Sequence, residues 1–154
     1  MNGVNSATHR EQLEDRNAIR SILEAYFSSI DRRDWVAYGQ CFTDDARVEF
    51  NHGHAQVVVG REAIVKRAEQ RRDRPVSNHL LGNTHISIAD RRATVVTHAI
   101  AHLIVPHADR NTVVVRGLVY EDELVVDADR SWRISKRSHR PLWQYEAPSL
   151  PLGY

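Results

Sequence analysis

The sequence predicts an α+β domain, with two or three helices packed on one face of a strongly bent, mostly antiparallel sheet. Two observations carry this. Apolar residues between Leu13 and Ile30 recur at three- and four-residue steps, the period of an amphipathic helix. From Asn78 onward the chain is β-prone almost throughout, interrupted by turn signals at Ala89-Asp90-Arg91, Pro106-His107-Ala108-Asp109 and Asp127-Ala128-Asp129.

Residues 1–10 are polar and are expected to form a frayed arm. The first helix then runs from Glu11 to about Asp31-Arg32-Arg33-Asp34, with Leu13, Ile19, Ile22, Leu23, Tyr26, Phe27 and Ile30 as its apolar stripe. Glu11, Glu14 and Asp15 fall in its expected first turns, where they favour the helix dipole. Asp34 is the expected N-cap of a short second helix carrying Trp35, Tyr38 and Phe42. Thr43-Asp44-Asp45 is turn chemistry, Ala46 to Phe50 the first strand, and His52-Gly53-His54 a hairpin loop before Val57-Val58-Val59. Gly60-Arg61-Glu62-Ala63-Ile64 opens a third helix that runs to about Arg72 and is ended by Pro75. Four strands follow, at about 78–89, 92–105, 111–126 and 131–140.

Composition narrows the function classes. The 154 residues suit one domain, and 21 basic against 20 acidic residues leave no net pull toward nucleic acid or a membrane. A single cysteine, Cys41, excludes an internal disulfide and a cysteine-based zinc site. No apolar run approaches the roughly 20 residues that a membrane span needs. The polar N-terminus lacks a signal-peptide core, so a cytoplasmic protein is expected.

Among titratable residues, His79 stands out at the entry to the β-rich half, with Asp31 far upstream at the polar end of the first helix. Imidazole has the unperturbed pKa closest to neutrality, so it serves as a base without drastic tuning, and a carboxylate beside it fixes its tautomer. Strand alternation puts Val96, His98, Ile100, His102 and Ile104 on one face and Val95, Thr97, Ala99, Ala101 and Leu103 on the other. Both faces are apolar enough to be covered, one by the helices and the other by a partner subunit. His98 and His102 read as core or interface histidines before metal ligands.

Several segments resemble the nuclear transport factor 2-like superfamily, and within it the SnoaL-like group. They are Tyr26-x4-Asp31, the Trp35…Phe42-Thr43-Asp44-Asp45-Ala46 segment, Gly60-Arg61-Glu62-Ala63-Ile64, His79-x3-Asn83 and Trp132-Arg133-Ile134-Ser135-Lys136-Arg137. The likeness is strongest to the branch holding scytalone dehydratase, hexachlorocyclohexane dehydrochlorinase and the bile acid 7α-dehydratase. It implies a cystatin-like cone enclosing a pocket, with a single SnoaL-like domain over 11–145, an arm over 1–10 and a C-terminal tail over 146–154.

The resemblance also implies roles. His79 and Asp31 are the expected catalytic pair, assisted by Tyr26 and the last-strand Arg137. His98 or His102 takes the place of a second pocket histidine, with Ile100, Trp35, Phe50 and Asn83 as further substrate contacts. Position 26 is a lysine in the dehydrochlorinase, which sets this chain nearer the dehydratases. The expected activity is a cofactor-free lyase acting on a small hydrophobic molecule; an isomerase or polyketide cyclase, or a non-catalytic accessory subunit, are the alternatives. Val113, Val115 and Val119 or their even-numbered neighbours, with a Pro-rich tail from Arg140 that carries Trp143 and is expected to pack over the pocket mouth or onto a neighbour, point to a homo-oligomer, a trimer before a dimer.

Overall fold

A computed structural model describes residues 3–51, 55–70, 76–107 and 110–149. The elements run α1 (Gly3–Arg32), α2 (Trp35–Gln40), β1 (Phe42–Asn51), β2 (Ala55–Val59), α3 (Arg61–Gln70), β3 (Val76–Ala89), β4 (Arg92–Pro106), β5 (Asn111–Val126) and β6 (Trp132–Ser149). The six strands form one open sheet in the order β2-β1-β6-β5-β4-β3, antiparallel except for the parallel β1–β6 pair. The expected α+β layering is therefore present, with one parallel junction that alternation alone does not reveal.

Helix α1 buries Ile19, Leu23, Tyr26 and Phe27, the centre of the predicted stripe, while Leu13 is exposed. It starts at Gly3 rather than Glu11, so residues 3–10, expected as an arm, continue the helix. Glu11, Glu14 and Asp15 consequently lie beyond the first turn. Asp15 instead ties α1 to the start of β6, its Oδ1 accepting a hydrogen bond from Trp132 Nε1 at 2.8 Å.

The helix ends in a Schellman arrangement. Arg33 N–H donates to Ile30 O at 3.1 Å and Asp34 N–H to Ser29 O at 2.9 Å, with Arg33 at φ 57°. Asp34 then caps α2, accepting from Ala37 N–H at 3.0 Å, as the sequence predicts. This pair of caps fixes where α1 stops, and so where Asp31 points.

Thr43-Asp44-Asp45 is strand rather than turn: β1 begins at Phe42, and the irregular register between Phe42 and Arg47 absorbs the acidic residues. The hairpin residues His52 and His54 lie outside the described residues, as does Pro75.

Strand β6 runs through Pro141 and Pro148 to Ser149, where the sequence predicts a strand ending near Arg140 and a tail packed over the pocket mouth or onto a neighbour. Pairing with β1 stops at Phe50↔His139, so beyond that point one edge of β6 is open, and an open edge tolerates proline. A bulge between the pairs Leu118↔Pro141 and Gly117↔Trp143 turns the Trp143 indole across Gly117, where a Cβ would meet the ring at 2.2 Å.

The sheet's inner face is small at β4 (Ala93, Ala99, Ala101) and large at β5 and β6 (Leu118, Tyr120, Leu124, Trp132, Ile134). That uneven lining leaves space beneath the helices. No helix among the described residues is long and apolar enough to cross a membrane.

Candidate active site

Strand β3 turns Ser77 and His79 inward on successive inner positions, directly under the last turn of α1. There Asp31 receives three polar contacts. Its Oδ1 accepts from Ser77 Oγ at 2.7 Å and lies 2.6 Å from His79 Nδ1, and its Oδ2 accepts from the His79 backbone N–H at 2.8 Å. Burial pushes the Asp31 carboxyl up, but the hydrogen bonds from the His79 ring, the His79 backbone and Ser77 outweigh it and hold the group below its ordinary value.

An ionised carboxylate only accepts, so the proton in the 2.6 Å contact belongs to His79 Nδ1. The basic nitrogen left on a neutral ring is Nε2. Phe27 stacks on the imidazole at 5.5 Å and 26° and so fixes the ring plane, while Asp31 fixes the tautomer.

His79 borders a cavity of about 140 Å³ between the helices and the sheet. That is close to the roughly 150 Å³ that accommodates one benzene ring. Tyr26, Ile30, Trp35 and Tyr38 form its helical side, Phe50, Ala101, Leu103, Leu118, Tyr120 and His139 its sheet side. Burial and a hydrogen bond with Tyr26 push the Tyr38 phenol up, so Tyr38 stays protonated. Asp31 is reached from the opposite side, where a shallow depression is bordered by Glu24, Ser28, Arg32 and Asn78.

The expected site residues divide sharply. Asp31, His79, Tyr26, Trp35 and Phe50 are brought together around the cavity or behind its wall. His98, Ile100 and His102 are not: they alternate with the buried Val95, Thr97, Ala99 and Ala101 and face outward, away from the cavity. Asn83 is exposed in a bulge of β3, between the pairs Leu81↔Ala99 and Thr84↔Thr97, and also lies outside the cavity lining.

Arg137 is inward but does not reach the cavity. It is fully buried, forked onto Asp122 at 2.6 and 2.7 Å, with its guanidinium 3.8 Å from the Tyr26 ring and 4.8 Å from the Tyr120 ring. Burial works against its charge, and Asp122 more than offsets this, keeping the group charged. The pair thus forms a platform under the phenols instead of a substrate anchor. Asp122, Ser77, Tyr120 and His139 are site residues that motif reading passes over. Ser77 shares the parity of His79, and Tyr120 and Asp122 share that of Leu118, so alternation carries a signal for three of the four.

The lone thiol is unsuited to nucleophilic work. Cys41 is buried, and burial pushes its pKa up to about 11, with only partial relief from Arg137 and Arg133. Among the described residues no three His, Cys, Asp or Glu side chains gather as a metal-binding group.

Helices over an open six-stranded sheet, with His79 in the cavity wall and Asp31 behind it, share their fold with an NTF2-like protein of cystatin-like fold from Novosphingobium aromaticivorans, at a TM-score of 0.76 and 20% identity over 92% of this chain and 90% of that one. The SnoaL-like domain model matches residues 11–138, and the chain belongs to that family. A Mycobacterium tuberculosis H37Rv protein, Rv2910c, is 27% identical over 135 residues, covering 86% of this chain and 89% of that one. A hexachlorocyclohexane dehydrochlorinase, LinA type 2, superposes with a TM-score of 0.78 at 15% identity, covering 95% and 96% of the two chains. A scytalone dehydratase-like protein from Novosphingobium aromaticivorans DSM 12444 superposes with a TM-score of 0.76 at 19% identity, covering 93% and 96%. At these identities the three structures speak for the fold.

Proposed function

We propose that the protein is a lyase that removes a proton from carbon and expels a neighbouring hydroxide, acting on a small, largely hydrophobic molecule. The observation that carries this is the 2.6 Å contact between His79 Nδ1 and an ionised Asp31 at the edge of an aromatic cavity. Such a contact leaves Nε2 basic and stabilises the imidazolium that forms when it takes a proton. The fold shared with a dehydrochlorinase and a scytalone dehydratase-like protein supports the same reaction class.

In this reading His79 Nε2 takes a proton from the carbon beside a carbonyl, and the C–H electron pair becomes the enolate. The enolate then forms the C=C bond as the C–O bond breaks, and the departing hydroxide leaves as water. Tyr26, on the cavity wall and hydrogen-bonded with Tyr38, is the phenol positioned to protonate the leaving oxygen. Arg137 and Asp122 are positioning residues that hold the rings of Tyr26 and Tyr120. The pair and its phenols supply base and acid without a cofactor. Isomerisation and ring closure begin with the same proton removal, and product analysis separates them.

The reading includes a homo-oligomer, three copies before two. Its support is the outward sheet face, where Val76, Leu80, Val96, Ile100, Trp143 and Tyr145 are exposed together. Elimination from aromatic β-hydroxyketones, followed by the ultraviolet band of the enone, tests the activity. The wild type should accelerate it, and His79→Gln should lower the rate by about 10²–10⁴-fold with the fold intact. Equal rates for the two proteins would refute the assignment of His79.

A further inference from the structure

We infer that Ser77 is a positioning residue that sets how readily His79 is protonated, and with it the lower pH limit of the site, by sharing the Asp31 carboxylate with the imidazole. This rests on the proposed role of His79 as base and names the residue that regulates it. Asp31 lies against the free edge of β3, the last strand of the sheet, and its two oxygens are used differently. Oδ2 accepts the His79 backbone N–H at 2.8 Å, a contact that belongs to the strand itself. Oδ1 takes two side-chain hydrogens, from His79 Nδ1 at 2.6 Å and from Ser77 Oγ at 2.7 Å. An ionised carboxylate has no hydrogen to give, so the Ser77 hydroxyl donates the only one it has.

A carboxylate beside an imidazole favours the imidazolium. A second donor on the same oxygen takes up part of its charge and weakens that pull. A base has to be unprotonated before it accepts a proton from carbon, so the hydroxyl keeps His79 competent toward lower pH. The residues opposite on β4 cannot replace it: Ser77 pairs with Leu103 and His79 with Ala101, and neither carries a side-chain donor. Other titratable and charged groups border the cavity or the depression behind it. Glu24, Tyr26, Arg32 and Arg33 lie along the end of α1, Tyr38 on α2 and Arg67 on α3. Arg116 and Tyr120 come from β5 and His139 from β6. All of them remain when Ser77 alone is changed, so a substitution there isolates the shared oxygen.

Proton NMR of the His79 ring, assigned by the signal that His79→Gln removes, tests this without a substrate. In Ser77→Ala the half-titration of that signal should move up by about half a pH unit or more, and the acid limb of enone formation should move with it. Ser77→Thr keeps the hydroxyl and should titrate as the wild type does. Ser77→Cys, with a weaker donor, should fall between the two. A purely structural Ser77 would lower the rate at every pH and leave the titration in place. Circular dichroism checks each fold, and the cysteine variant carries the comparison if the alanine variant does not fold. A half-titration that stays or moves down on loss of the hydroxyl, or a threonine variant that follows alanine, would overturn the inference. A shifted titration with no enone formed by any of the proteins would refute only the proposed reaction.

Discussion

Asp31 sits in the last turn of α1, where a negative side chain opposes the helix dipole at a cost of about 0.3–1 kcal/mol. The three contacts from Ser77 and His79 offset that cost and keep the carboxyl ionised. The folded-state pKa is lowered, so the associated stability is fully present above the unfolded value of about 3.9 and is lost as pH falls through the lowered native value. Asp31→Asn should therefore lower the urea midpoint at pH 7, and the gap to wild type should narrow below pH 4. A gap that is constant with pH would show that the charge contributes nothing. Arg137 and Asp122 make a different prediction, because both side chains are fully buried. Removing one partner strands the other's charge, so Asp122→Ala should cost about 3–5 kcal/mol in denaturant unfolding. Residue by residue, the sequence displays the chemistry of His79 and Asp31, but contacts across 48 residues of chain are set by packing.

Strand elements explain which site residues alternation finds and which it misplaces. Both faces of β4 are apolar, so the pattern alone does not say that Ala99 and Ala101 face the helices and His98 and His102 face out. In β6 an extra residue at Ser135, between the pairs Leu124↔Ile134 and Glu123↔Lys136, reverses parity. Trp132 and Ile134 are inward before it, Arg137 and His139 after it. Counting by twos from Trp132 therefore turns His139 outward, although it stacks on Tyr120 at 5.1 Å and lines the cavity. In β3 the corresponding bulge depends on Gly82, where an added Cβ would lie 2.8 Å from the backbone oxygen of His98. Backbone cannot yield as a side chain does, so Gly82→Ala should destabilise the fold by about 1–3 kcal/mol. Thermal unfolding within experimental error of wild type would show that the bulge relaxes freely. The C-terminal end of α1, the cap of α2 and the strands β3 to β5 are legible because capping and alternation are local; the start of α1, the length of β6 and the bulges are not, the bulges because they answer to neighbouring strands.

For the molecule as a whole, the fold class follows from helices placed before a β meander, whereas the parallel β1–β6 junction and the cavity arise only when distant segments meet. The outward face of β3, β4 and β6 exposes Leu80 at 52% and Trp143 at 47%, apolar side chains that further copies of the chain would cover in the proposed assembly. Light scattering should find a species of three times 17.7 kDa, and a stable monomer at micromolar concentration would refute that assembly. The proposed reaction stands or falls with proton removal from carbon by His79, held by Asp31. Hydrogen–deuterium exchange at the carbon beside the carbonyl of α-tetralone, followed by proton NMR in D₂O, reads that step without requiring a leaving group. The wild type should accelerate exchange over buffer, and His79→Gln and Asp31→Asn should each lower the acceleration, the former by about 10²–10⁴-fold. Exchange no faster than buffer, or undiminished in His79→Gln, would contradict it.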